Sequence, residues 1–121
     1  MDVLVVEDDS SGRRAFVKLL NRSGYKVRAV NNGAEAFEAL FDADYRAIVC
    51  DIKMPELSGR GFYEQLEAVF PHLARRVLFV TAYAADPEIH RFLVNSGQPF
   101  LEKPYDVEEF TRTVNNLATA L

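Results

Sequence analysis

The chain has 121 residues, 49% hydrophobic and 26% charged, which is enough to bury a core without staples and too apolar for disorder. Lys and Arg number 14 against 18 Asp and Glu, and the formal net charge of −4 argues against a nucleic-acid-binding surface. Cys50 alone excludes an intrachain disulfide; with no apolar run near the roughly 20 residues of a membrane span and no N-terminal secretory pattern, a single cytoplasmic domain covering 1–121 is expected.

Val3-Leu4-Val5-Val6 is a β-branched apolar run closed by Glu7-Asp8-Asp9, which reads as a buried strand leading to a helix capped by Asp9 or Ser10. In that helix Ala15 pairs with Leu19 and Phe16 with Leu20, while Arg13, Arg14, Lys18 and Arg22 fall on the other side. Ser23-Gly24 ends it. Tyr25 to Val30 alternates as an edge strand. Asn32 and Glu35 open a second helix in capping-box fashion, with Phe37, Leu40 and Phe41 as its apolar face.

Ala47 to Asp51 is a third strand, ending abruptly in a carboxylate before the loop at Pro55. Ser58-Gly59 leads into a helix carrying Phe62, Leu66, Val69 and Phe70 and closed by Pro71. Val77 to Thr81 is a fourth apolar strand with a polar end. Asp86-Pro87 starts a fourth helix with Ile89, Phe92 and Leu93 on one face. Phe100 to Pro104 holds a short fifth strand, and Asp106 with Glu109 caps a last helix bearing Val107, Phe110, Val114, Leu117 and Leu121.

Strands apolar throughout, joined by helices, require a parallel sheet covered on both faces. The expected architecture is α/β: a doubly wound (βα)5 sheet of order 2-1-3-4-5 in three layers. In that order Glu7 and Asp8 face Asp51, with Thr81 and Lys103 ending neighbouring strands. Crowded carboxylates need a cation, and an oxygen-only set suits Mg2+ or Mn2+. The first loop lacks the glycines of a nucleotide cradle, so the chemistry points to metal-assisted phosphoryl transfer.

Glu7-Asp8-Asp9, Asp51 with Met54-Pro55 and Gly59, Thr81-Ala82, and Lys103-Pro104 stand in order at their strand ends. Over essentially its whole length the chain resembles a response-regulator receiver domain of two-component signalling, a flavodoxin-like fold. The resemblance implies that Asp51 is a phosphoacceptor, taking its phosphoryl group from a phosphohistidine on a sensor histidine kinase or a histidine phosphotransfer protein. It implies that Asp8 binds Mg2+ directly, Glu7 through water, and that Asp51 and the backbone carbonyl of Lys53 complete the protein ligands. Lys103 would pair with the phosphoryl oxygens and Thr81 would donate its hydroxyl. Thr81 and the aromatic Phe100 would form the switch that reshapes the face of helix four, strand five and helix five for a downstream protein or a dimer partner.

Lys53 and Tyr83, two positions after Asp51 and Thr81, would flank the attacking water and tune the phosphoryl lifetime. The turn Ser96 to Pro99 is about one residue shorter than in many stand-alone receivers, and Gly97 to Pro104 resembles receivers at the C-terminal end of hybrid sensor kinases. No effector domain follows Leu121, so output through protein contacts or a parent chain is expected, with neither nucleic acid nor membrane as partner. Two other readings were weighed. A haloacid-dehalogenase-type phosphatase would carry its nucleophile on the first strand in a D-x-D pattern, where Glu-Asp-Asp stands here. A pseudo-receiver would have lost a site position, and none is lost. A signalling domain, not a turnover enzyme, is the expectation. Cys50 reads as a small core residue, and His72, His90 and the pair Arg75-Arg76 as surface.

Overall fold

The computed structural model describes residues 2–52 and 59–120. Within them five strands, β1 (Val3–Val6), β2 (Val27–Val30), β3 (Ala47–Cys50), β4 (Val77–Thr81) and β5 (Phe100–Glu102), alternate with five helices. The helices are α1 (Ser10–Arg22), α2 (Gly33–Ala39), α3 (Gly59–Val69), α4 (Pro87–Ser96) and α5 (Val107–Thr119). The strands form one parallel sheet in the order β2-β1-β3-β4-β5, as expected from the sequence.

Every residue of β1, β3 and β4 is buried. Side chains alternate across a strand, so each strand feeds two cores. Leu4, Val6, Ile48, Cys50, Val77 and Phe79 point to the side covered by α2, α3 and α4, where Leu40, Phe62, Leu66 and Leu93 meet them. Val3, Val5, Ala47, Val49, Leu78 and Val80 point to the side covered by α1 and α5, against Phe16, Leu20, Phe110 and Val114. This two-sided burial is why the strands read as unbroken apolar runs.

Local signals set the helix ends. Asp9 Oδ2 accepts the Gly12 N–H at 2.7 Å, so Asp9 is the cap and Ser10 the first helical residue. Asn32 Oδ1 accepts from Glu35 N at 2.8 Å, while Glu35 Oε1 reaches back to Asn31 N at 2.8 Å, one residue earlier than a standard box. Asp86 caps α4 with Pro87 at its first position, and Asp106 accepts from Glu109 N at 2.9 Å. Each such cap contributes about 1 kcal/mol. Gly24 (φ +90°) and Gly97 (φ +73°) take the left-handed conformation that closes α1 and α4.

Four positions differ from the expected apolar stripes. Ala15 is exposed, and the buried pair of α1 is Phe16 with Leu20. In α2 the small residues Ala36 and Ala39 join Leu40 in the core. Phe41, 64% exposed, lies past the helix and packs its ring on Phe37 and Phe70 instead. Val69 is half-exposed because the stripe of α3 is rotated: Tyr63 takes a buried place, its hydroxyl donating to Ala74 O at 3.1 Å. Val107, also half-exposed, is the first residue of α5, ahead of the buried Phe110, Val114 and Ala118. Strand β2 starts at Val27, Tyr25 having turned its hydroxyl to Asn115. Strand β3 ends at Cys50, although Asp51 N still donates to Val6 O at 3.1 Å. Lys53 to Ser58, including the Met54-Pro55 element, lie outside the described residues, as does Leu121.

Candidate functional site

The register of the sheet brings the site together. Val6 pairs with Cys50, so the residues that follow them, Glu7 and Asp51, emerge side by side from β1 and β3. Thr81 pairs with Glu102, and the next residue, Lys103, donates its backbone N–H to Thr81 O at 2.9 Å. Lys103 precedes Pro104 across a cis peptide bond. A parallel sheet places all these ends on one edge.

One carboxylate oxygen from each of Glu7, Asp8 and Asp51 lies within 4.8 Å of the others. Glu7 is fully buried, Asp51 is 7% exposed and Asp8 is exposed. At that distance and an effective dielectric constant of about 20, the buried pair Glu7–Asp51 repels by about 3 kcal/mol. That exceeds what an ordinary hydrogen bond returns, and a cation between the two relieves it. Lys103 does so, its Nζ donating to Glu7 Oε1 and, at 3.2 Å, to Asp51 Oδ2. Asp51 Oδ1 is held separately by the Ile52 N–H at 2.6 Å.

Burial raises the pKa of Glu7, Lys103 pulls it back, and the neighbouring Asp51 adds to the rise, leaving it above the ordinary glutamate value. Burial works against the Lys103 ammonium, but Glu7 and Asp51 outweigh it and hold its pKa above the ordinary lysine value. One ammonium against three carboxylates leaves the pocket net negative. Its donors are all oxygen, partly buried and partly open to water through Asp8, which fits a hard divalent cation such as Mg2+ or Mn2+. Cys50, beside Asp51, faces the core. Burial, with Asp51 and Glu7, pushes its thiol well above the usual range, and its Sγ donates to Asp51 O at 3.1 Å.

Thr81 is fully buried, and its Oγ1 accepts the Tyr83 N–H at 3.1 Å. Tyr83 itself is 46% exposed on the loop after β4. Phe100 is half-buried on β5, its ring edge-on to that of the exposed His90 at 6.0 Å. His72 is also exposed, its ring against Phe70. Arg75 is exposed, whereas Arg76 bends to the carbonyl of Ala120. The carbonyl of Lys53, expected as a metal ligand, belongs to the undescribed segment.

Three supporting residues were not singled out in the sequence. Arg13, expected on the outer face of α1, turns its guanidinium back to the carbonyl of Glu7 at 2.9 Å. Phe16 lies under the Lys103 ammonium, 5.9 Å from it, and stacks on Tyr105 and Phe110. Tyr105 completes that stack at the root of α5. Tyr105 directly follows the Lys-Pro pair, and Arg13 and Phe16 lie in the first two turns of the helix after the acidic loop; periodicity alone assigns such residues to core or solvent.

A family model described as the response regulator receiver domain matches residues 3–115. The response regulator receiver protein CpdR of Brucella abortus (strain 2308) is 36% identical over 123 residues, covering 98% of this chain and 97% of its own length. Other relatives are far longer. The chain spans 26% of the transcriptional regulatory protein ZraR of Klebsiella oxytoca, at 30% identity, and 12% of the sensor kinase CckA of Brucella abortus, at 29%. Among solved structures, the signal receiver domain of a signal transduction histidine kinase from Syntrophus aciditrophicus superposes with a TM-score of 0.88 at 26% identity, covering 99% of this chain and 91% of that one. The chain belongs to the response regulator receiver domain family and is a receiver domain of two-component signalling.

Proposed function

We propose that Asp51 is the phosphoacceptor of this receiver. The observation that carries the reading is the convergence of Glu7, Asp8 and Asp51 around a single ammonium, that of Lys103. Bound Mg2+, held directly by the carboxylates of Asp8 and Asp51 and the carbonyl of Lys53 and through water by Glu7, would neutralise charge on the transferring phosphoryl oxygens. An Asp51 oxygen attacks the phosphorus of a phosphohistidine. The P–N bond breaks, its electron pair returns to the imidazole nitrogen, and an aspartyl phosphate remains. Lys103 passes from Asp51 to a phosphoryl oxygen. Thr81, whose oxygen already accepts from Tyr83 N–H, keeps its hydroxyl hydrogen for another.

The donor is a sensor histidine kinase or a histidine phosphotransfer protein in the cytoplasm. The response leaves through the face of α4, β5 and α5, with Thr81 and Phe100 as the moving parts, whether the receiver acts alone or within a hybrid kinase. Among the described residues no helix is long and apolar enough to cross a membrane.

Incubation with acetyl phosphate and Mg2+ should add one phosphoryl group by mass, and Asp51→Asn should add none. Addition to neither protein, or steady release of phosphate from a phosphomonoester, would overturn the reading. Tyr83, two positions after Thr81 and half-exposed, would by the family resemblance flank the route of attacking water. In Tyr83→Ala the phosphoryl label should be lost roughly threefold faster, a barrier change of under about 1 kcal/mol. An unchanged rate would remove Tyr83 from this role.

A further inference from the structure

The three acidic residues of the pocket are not equally held. Glu7 is fixed by Lys103 and by the Asp9 N–H at 3.4 Å. Asp51 is fixed by the Ile52 N–H at 2.6 Å and by Lys103 at 3.2 Å. Asp8 is exposed, and among the described residues only its backbone carbonyl, not its carboxylate, accepts a side-chain hydrogen bond. Its nearness to the other two therefore depends on where the backbone places its Cβ.

That backbone is gripped by one side chain. Arg13, in the first turn of α1, donates through Nη1 to Glu7 O at 2.9 Å and reaches Asp8 O at 3.4 Å. Its own N–H donates to Asp9 O at 2.9 Å. The two peptide units flanking the Asp8 side chain are thus tied to one nitrogen, Nη1, of a rigid planar guanidinium. Gly12, just before it, keeps the space clear, since a Cβ there would stand 3.3 Å from Glu7 Oε1.

We propose that Arg13 is a positioning residue for the divalent cation: by clamping the Glu7 and Asp8 carbonyls it presets the Asp8 carboxylate as a ligand. This rests on reading the pocket as a Mg2+ site. Two effects of Arg13 on metal affinity oppose each other. As a nearby positive charge it repels Mg2+, and at a partly exposed position screened by salt that repulsion changes affinity only a few-fold. As a support behind a ligand it strengthens binding, and loss of such supports typically weakens metal affinity by about 10–100-fold. The second effect wins, so the sign of the change identifies the role.

The test is a calorimetric Mg2+ titration of the full chain as wild type, Arg13→Gln and Arg13→Lys, with urea unfolding in EDTA to establish that each is folded. Arg13→Gln should bind Mg2+ roughly tenfold more weakly. Arg13→Lys, which keeps the charge but loses the rigid planar group that carries Nη1 to both carbonyls, should fall between. In acetyl phosphate reactions the half-saturating Mg2+ concentration should rise by the same factor, with the rate at saturating Mg2+ little changed, a split that general destabilisation would not produce. Arg13→Gln binding as tightly as wild type, or more tightly, overturns the proposal, as does Arg13→Lys indistinguishable from wild type. Absence of Mg2+ binding in wild type overturns the reading of the pocket as a metal site and this inference with it.

Discussion

Gly59→Ala is expected to lose about 2–3 kcal/mol of stability and to slow phosphorylation of Asp51 by about two orders of magnitude. A Cβ built on Gly59 would stand 2.2 Å from Asp51 O and 2.8 Å from the Ile52 Cα. Both neighbours are backbone, so no side chain can swing aside. The contact exists because the first turn of α3 lies directly on the chain leaving β3, where Gly59 N donates to Ile52 O at 2.9 Å. An added methyl must push α3 off the sheet or displace the Asp51–Ile52 peptide. The first opens the core around Phe62 and Leu66, both fully buried. The second moves the Asp51 carboxylate, whose Oδ1 is fixed by the Ile52 N–H next door. Urea unfolding separates the outcomes from acetyl phosphate labelling at saturating Mg2+. A variant within about 0.5 kcal/mol of wild type, labelled at the wild-type rate, would show that α3 yields without consequence.

The elements that the sequence specified best are those whose pattern follows from topology alone. Val3–Val6, Ala47–Cys50 and Val77–Thr81 had to be apolar on both sides because helices cover both faces, and their C-terminal ends had to share one edge. The placing of Glu7, Asp8, Asp51, Thr81 and Lys103 follows from that with no further information. What escaped was geometry at the level of one side chain. Arg13 was assigned to solvent because periodicity fixes the direction of Cβ, and a long side chain can fold back from there. Tyr63 falls outside a purely apolar α3 stripe, yet Ala74 O satisfies its hydroxyl in the core. Phe41 was placed inside because it is large and apolar. The core beside α2 takes Ala36 and Ala39, and Phe41 finds Phe37 and Phe70 outside. Close approach, as at Gly59, leaves no periodic trace at all.

Lys103→Met should be less stable than wild type by about 2 kcal/mol at pH 8, with the deficit narrowing as the pH is lowered. The variant leaves Glu7 and Asp51 buried against each other with no cation between them, and removing one partner of a buried pair is strongly destabilising. The figure lies below the usual range because Lys103 is 25% exposed and water reaches the pocket from its side. The sign with pH follows from Glu7. Burial already raises its folded pKa, and Lys103 opposes that rise. Without Lys103 the folded pKa climbs further. A carboxyl whose folded pKa lies above its unfolded value, about 4.3, contributes stability fully present below that value and lost as pH rises through the folded one. The variant therefore suffers most where Glu7 must ionise, and its deficit shrinks as pH falls through the raised folded pKa. A deficit that did not change with pH would trace it instead to the ammonium lost from the face of Phe16.

The same variant should bind Mg2+ more tightly than wild type, because the ammonium occupies the carboxylate oxygens that a divalent cation needs. Saturating Mg2+ should then narrow the stability gap by mass action. The two cations of the site are thus expected to act in opposite directions. Lys103 contacts the carboxylates and competes with the metal, whereas Arg13 contacts the carbonyls behind them and supports it. Charge alone would give both removals the same sign. Weaker Mg2+ binding in Arg13→Gln beside tighter binding in Lys103→Met would separate positioning from electrostatics within one pocket.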